Sequence, residues 1–227
     1  MNRSTINPQT IHYQGIDLQL LPEKAIYSDR LQSLILSDVH LGKPETFQQF
    51  GIPIPNTTNQ ATLERLRNLC LQLQPKQLFV LGDLFHSRLA LTEPILKDWR
   101  NFQQEIRQFF GTTFTLIVGN HDRSLVQELE EWGIPCCEQA IALDSLQLSH
   151  EPASCPDALN LCGHIHPCVR LKSRLDDLRL PCFYWDQSQN QLILPSFGEF
   201  TGGYEMPFRK GAIAYVVAEG AVIPWQR

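Results

Sequence analysis

The stretch Leu34-Ile35-Leu36-Ser37-Asp38-Val39-His40 is an apolar run of strand length that ends in an acid and a histidine. The same arrangement recurs four times. Leu78-Phe-Val-Leu runs into Gly82-Asp83, and Thr115-Leu-Ile-Val into Gly119-Asn120-His121-Asp122. Leu146-Gln-Leu-Ser leads to His150, and Leu159-Asn-Leu-Cys to Gly163-His164-Ile-His166. Between the first three runs lie segments with helical spacing. Leucines stand at 63, 66, 69, 71 and 73, and apolar residues at 95, 96, 99, 102, 106, 109 and 110, the latter after Thr92 as a cap with Pro94 in the first turn. Strand followed by helix, repeated, predicts an α/β fold. Polar groups at the carboxyl ends of its strands converge on one edge. Farther along, short runs at 169–171, 182–185, 192–194 and 213–217 predict a second sheet region with little helix.

The 227 residues fit one domain, with a motif-bearing core over about 31–225 and residues 1–30 as an N-terminal extension or edge strands. At 43% apolar, with no uninterrupted apolar stretch near the roughly 18 residues of a membrane span, the chain reads as globular and not membrane-bound. No secretory signal is visible, and the seven cysteines form no CxxC pair, so reduced thiols in a cytoplasmic protein are expected. A net charge of −5 disfavours wrapping nucleic acid over a whole basic surface. It does not oppose a nuclease whose metals bring the positive charge.

Six of the seven histidines, at 40, 86, 121, 150, 164 and 166, fall in or beside these strand exits. Scattered structural histidines would not sort in this way. In Asp38-x-His40 the side chains at i and i+2 lie on one side of an extended strand and can reach one ion; His164-x-His166 can do the same or serve neighbouring ions. Imidazoles with carboxylates suit Mn, Fe, Zn, Co or Ni, and without cysteine the set is not a structural zinc site. Asp38, His40, Asp83, Asn120, His150, His164 and His166 are too many donors for one ion but appropriate for two, with Asp83 as the natural bridge.

This set, from Asp38-x-His40 through Gly82-Asp83, Gly119-Asn120-His121-Asp122 and His150 to Gly163-His164-x-His166, resembles the calcineurin-like metallophosphoesterase superfamily. His150 follows Ser149 where glycine is commoner in that superfamily. A narrower resemblance is carried by Leu36-Ser-Asp-Val-His-Leu-Gly-Lys43, Gly51-Ile-Pro-Ile-Pro55, Leu81-Gly-Asp-Leu-Phe-His-Ser-Arg88, Gly163-His-Ile-His-Pro167, Leu180-Pro-Cys-Phe183 and Phe197-Gly-Glu-Phe-Thr-Gly-Gly203. These motifs are similar to those of the bacterial ligase-associated DNA damage response endonuclease family.

The resemblance implies a sandwich of two mixed β-sheets flanked by helices, in α-β-β-α layers. It implies two divalent cations, manganese first among the candidates, with Asp38, His40, Asp83 and His166 at one and Asp83, Asn120, His150 and His164 at the other. Two such cations activate a hydroxide for in-line attack on phosphorus. His121 would donate to the leaving oxygen, and Asp122 would orient and charge that imidazole. His86 would contact the substrate phosphate, as in a related double-strand-break repair nuclease branch, or else support Asp83. Arg88 and Arg123 can bind phosphate or form structural ion pairs. The glycines of 198–203 can present amides to a phosphate. The stretch Arg170, Lys172, Arg174 and Arg179, broken by Asp176 and Asp177, reads as a solvated face, Trp99 and Trp132 as core, and Trp185 and Tyr204 as candidate base-stacking residues. The implied substrate is DNA, and the implied partners are DNA ligase and helicase. The alternatives are a small diester or nucleotide pyrophosphate, a phosphomonoester, or a non-catalytic scaffold, which would be expected to lose ligands.

Overall fold

In the computed structural model, residues 8–52, 55, 57–173, 176–199, 201–207 and 209–226 are described. The first sheet runs in chain order: β1 (Gln9–Tyr13), β2 (Ile16–Leu20), β3 (Ile26–Ser28), β4 (Ser33–Leu36), β5 (Gln77–Leu81), β6 (Thr113–Ile117) and β7 (Cys136–Cys137). β1 to β4 pair antiparallel, and β4 to β7 parallel. Residues 9–28 therefore form edge strands of this sheet, one of the two options the sequence left open. The parallel half needs crossovers, supplied by α1 (Lys43–Gln49), α2 (Thr57–Leu73), α3 (Glu93–Phe110) and α4 (Val126–Glu131).

The second sheet contains β8 (Ile141–Leu143), β9 (Leu146–Leu148), β10 (Leu159–Cys162), β11 (Pro167–Lys172), β12 (Asp177–Asp186), β13 (Gln191–Ile193) and β14 (Tyr204–Glu205). Its order is β14-β11-β12-β13-β10-β9-β8, and β15 (Ala212–Ala218) joins β12 with β16 (Ala221–Trp225) beyond it. β9, β10 and β13 are parallel neighbours, and β12 pairs antiparallel with β11, β13 and β15. Among the described residues the fold is thus mixed α/β with two mixed sheets and four α-helices.

Alternation along the central strands creates the layers. Leu34, Leu36, Leu78 and Val80 point to the helices, where Leu63, Leu66, Leu69, Trp99, Phe102 and Ile106 cover them. Ile35, Phe79, Leu81 and Ile117 point the other way, against Leu148, Leu159, Leu161, Phe183 and Leu192 of the second sheet. The far face of that sheet carries a smaller cluster including Cys162, Cys182, Tyr184 and Val216, and all four helices lie before residue 132. α3 shows how local sequence sets an element. Pro94 fits its first turn, and Ile95, Leu96, Trp99, Phe102 and Ile106 form its buried stripe. Gly111, at φ 66°, closes it, with its amide on the Arg107 carbonyl and the Thr112 amide on that of Ile106. Thr92 precedes the helix in extended conformation, but its side chain makes no capping bond. All seven cysteines are free thiols, and no helix among the described residues is long and apolar enough to cross a membrane.

Candidate metal centre

The parallel strands β4, β5 and β6 of one sheet and β9 and β10 of the other end at the same edge of the sandwich. The exit loops of β4 and β5 are zipped together. Asp38 N donates to Gly82 O (3.1 Å), His40 N to Asp83 O (2.9 Å), Leu41 N to Leu84 O (2.9 Å) and His86 N to Leu41 O (2.9 Å). Across the sandwich, His164 N donates to Asp38 Oδ2 (3.0 Å), and within the second sheet Gly163 N donates to His150 O (2.9 Å).

Five of the seven candidate ligands sit in the left-handed region. Asp38 has φ 54°, His40 51°, Asp83 54°, His164 66° and His166 51°. Few non-glycine residues adopt it, and such strain concentrates where a fold must aim side chains. Gly163 serves the same end by close approach, because a Cβ there would overlap Ser37 Oγ and Asp38 Oδ2.

Two groups of donors face each other across Asp83. In the first, Asp38, His40 and His166 bring one donor atom each within 4.8 Å of one another. His166 Nε2 stands 3.1 Å from Asp38 Oδ1, yet both atoms, and His40 Nδ1, are buried without an aligned hydrogen bond. Buried polar atoms left without a partner at this spacing are groups that a cation would satisfy. Burial pushes His40 down to about 3, so its imidazole is neutral and able to ligate. Burial opposes ionisation of Asp38, but His166 and Ser37 hold its carboxyl below the usual range. For His166 burial alone would lower the pKa; Asp38, with Gly202 and Asp83, raises it instead.

In the second group, Asn120 Oδ1, His150 Nε2 and His164 Nδ1 form a triangle with sides of 2.8, 3.1 and 2.9 Å. His150 Nδ1 is 2.9 Å from the Leu81 carbonyl, to which it must donate. Nε2 of the neutral ring therefore offers a lone pair to an amide oxygen that also only accepts. That contact requires an imidazolium, a turned amide or a cation between them. Asp83 lies between the groups, with Oδ2 3.7 Å from His150 Nε2 and 3.9 Å from His121 Nε2. Burial raises its pKa despite His150 and the His121 amide, so a neighbouring cation would stabilise its ionised form. The donor set fits two divalent cations, and Asp83 can face both.

His121 points into the same space. Its amide donates to Asp83 Oδ1 (2.9 Å), and its Nδ1 donates to the His86 carbonyl (2.5 Å), which leaves Nε2 toward the site. Asp122 corrects the sequence expectation. Its Oδ2 accepts the amides of Asp83 (2.7 Å) and Gly119 (3.0 Å), so it positions two loops, and the His86 carbonyl orients the His121 imidazole in its place. Fully buried, Asp122 is pushed up to about 6 by burial in spite of those amides. The His86 ring stacks between Phe47 and His121, with centroids 5.9 and 5.3 Å away, and burial, helped by Lys43 and His121, brings it down to about 4.

Arg88 and Arg123 take the structural alternative. Arg88 pairs with Glu128 (2.5 Å) and donates to Ser124 O (2.9 Å), and Arg123 pairs with Glu151 (2.8 Å). Both are exposed, so these pairs are weak and exchangeable. Ser149 gives its hydroxyl to Glu151 O (2.7 Å) and accepts from Asn160 (2.7 Å), a use for serine before His150. Trp99 is fully buried as expected. Trp132 is only partly buried, against the core and under the Arg100 guanidinium, 4.5 Å from the ring centroid. Trp185 is partly buried against the inter-sheet core, whereas Tyr204 is exposed. Arg170 pairs with Asp177, and Arg174, Pro53, Ile54 and Phe200 lie outside the described residues. The sequence reading missed Ser37, the Phe47–His86 stack, and Lys24 and Arg65, which together hold Glu199 beside the site.

Residues 31–146 match the family model described as calcineurin-like phosphoesterase. The crystal structure of Pseudomonas putida nuclease MPE is similar at 34% identity, covering 96% of this chain and 100% of that one, with a TM-score of 0.82. Yfce, a phosphoesterase from E. coli, is 18% identical over 84% of this chain and 96% of that one, with a TM-score of 0.43, too low to carry an argument. No curated protein matches the chain.

Proposed function

The chain belongs to the calcineurin-like phosphoesterase family and is a hydrolase of phosphoesters; from this premise we propose that it is a two-metal phosphodiesterase acting on DNA as an endonuclease. The observation that carries the proposal is the pair of donor groups meeting at Asp83. Asp38, His40, Asp83 and His166 would hold one cation, and Asp83, Asn120, His150 and His164 the other. When bound, such cations supply Lewis acidity, which lowers the pKa of water and neutralises charge on the phosphate. The mixed imidazole, carboxylate and amide set suits Mn, Fe, Zn, Co or Ni, and the family resemblance puts manganese first among them.

The protein's own residues do the rest. With Nδ1–H committed to the His86 carbonyl, a protonated His121 holds its second proton at Nε2, beside Asp83. From there it can pass that proton to the departing alkoxide oxygen. The stack of His86 on His121 fixes the ring, and Asp122 keeps the two exit loops in register. Similarity over the full chain to a nuclease supports DNA as the substrate. A DNA-repair role with DNA ligase and helicase partners, and a cytoplasmic location, belong to this reading through the family resemblance, and residues 1–227 are taken as one domain with its motif-bearing core at about 31–225.

A second reading, hydrolysis of a small diester or nucleotide pyrophosphate, is favoured by the acidic net charge and by the carboxylates that occupy Arg88 and Arg123. Metal-reconstituted protein should be given a chromogenic phosphodiester and a labelled single-stranded DNA, with His121→Asn as control. Cleavage of both, with DNA cleavage lost and metal retained in the variant, is the expected result. Hydrolysis of the small diester alone would move the substrate to the second reading.

A further inference from the structure

Beside the metal centre lies a cavity of about 340 Å³ that the chemistry above does not use. His166 stands at its edge, and Cys168, Arg179 and Pro181 form its floor. In the β11–β12 register Cys168 faces Pro181 and Arg170 faces Arg179, so these side chains share one face. The wall is formed by Ser196, Gly198, Glu199 and, farther along, Thr201, Gly202 and Gly203. Gly203 must be small, because a Cβ there would approach Cys168 Cβ to 2.7 Å. That wall is tied to the metal centre by Phe197 N on Ser37 O (2.8 Å) and Gly198 N on Asp38 O (3.0 Å).

Charge in the cavity is unbalanced. Lys24 and Arg65 share a single carboxylate, Glu199, and Arg65 also holds the Phe197 carbonyl and stacks on its ring. Arg179 has no carboxylate within ion-pair distance among the described residues; its one hydrogen bond goes to Gly203 O (3.2 Å). The amides of Thr201, Gly202 and Gly203 donate to no backbone carbonyl among the described residues. A guanidinium without an ion-pair partner, beside three amides that donate to no backbone carbonyl among the described residues, is the chemistry of phosphate capture.

Building on the nuclease reading, we propose that this cavity binds the phosphodiester group adjacent to the one being cleaved, with Arg179 as its principal contact. The cavity is large enough for a phosphate and part of its nucleoside. It would distinguish a polynucleotide from a lone diester, because only a polymer carries a second phosphate one nucleotide away.

The test compares a dinucleotide, which has only the scissile phosphate, with a trinucleotide, which has one neighbour whichever bond is cut. Arg179 is exposed, so Arg179→Ala should fold normally. It should raise KM for the trinucleotide about ten- to hundredfold, the range for a lost charge-assisted hydrogen bond. The dinucleotide and the chromogenic diester should be unaffected, and Arg179→Lys should recover part of the loss. On longer single strands the slope of log affinity against log salt should fall by about 0.7. If wild type cuts the trinucleotide but Arg179→Ala changes nothing, or slows all substrates alike, the cavity assignment is wrong and the nuclease reading stands. If wild type cuts neither oligonucleotide, both fall.

Discussion

Replacing Asp122 separates two accounts of this residue. Its Oδ2 accepts both the Asp83 and the Gly119 amide, in full burial. In Asp122→Ala both amides lose their partner where water cannot reach them. Each unsatisfied group costs about 1–3 kcal/mol, so the pair should cost about 2–6 kcal/mol, a large part of the roughly 5–15 kcal/mol that holds a domain together. The side-chain carbonyl of Asp122→Asn can take the place of Oδ2 and keep both bonds. What it gives up is charge assistance, about 1 kcal/mol per bond, partly offset because a neutral amide escapes the burial penalty that lifts the acid to about 6. Its NH2 group, however, takes the place of Oδ1, which is buried without a hydrogen-bond partner, so the expected order of urea midpoints, measured on metal-free protein, is wild type, then Asn, then Ala. Reconstituted Ala should also bind less metal, since Asp83 and Asn120 flank the loosened amides. An Ala variant that unfolds with wild type and keeps its metals, yet loses turnover as fully as Asn does, would refute this. Asp122 would then act through His121 after all.

Three further outcomes follow from the geometry. His164→Ala removes one corner of the triangle with Asn120 and His150, so metal analysis should show one cation per chain lost; normal metal content would undo that ligand assignment. Gly163→Ala drives a methyl group into Ser37 Oγ and Asp38 Oδ2, so diester hydrolysis should fall by at least tenfold together with metal content, and an unaffected variant would mean the loop yields freely. Glu199→Gln tests pH dependence. Burial favours the neutral acid, but Arg65 and Lys24 hold the carboxyl below its ordinary 4.5, so its contribution is present above that pH and lost as pH falls through the lowered value. Between about pH 5 and 3 the melting temperature of wild type should fall more steeply than that of the variant; parallel curves would exclude the link.

The strand exits were legible because an apolar run ended by Asp or His is written in consecutive residues, as in Leu34 to His40. The same holds for the buried stripe of α3 and for β9 and β10, whose bounds at Leu146–Leu148 and Leu159–Cys162 coincide with the apolar runs. What escaped depends on geometry that residue type does not encode. Nothing in Asp38 or His164 announces a left-handed backbone. The run Asn120-His121-Asp122 puts an acid next to a histidine, but the turn sends that acid under the loop to Asp83 and Gly119. β1 and β3 carry little pattern, and the five-residue alternation of Ile16 to Leu20 in β2 does not say which sheet it joins, so residues 1–30 read as edge strands or extension alike. Glu199 meets partners 134 and 175 positions away, a pairing that only the closed sandwich creates.

Each donor group draws on both sheets, and this has a consequence for incomplete chains. Synthesis delivers Asp38, His40, Asp83 and Asn120 with the first sheet, whereas His150, His164 and His166 follow only with β9 and β10. A nascent chain, or one shortened by proteolysis or premature termination ahead of His166, carries acids and an imidazole with no opposing wall. Such fragments should be inert rather than weakly active, so hydrolytic capacity would arrive only when both sheets are made and docked.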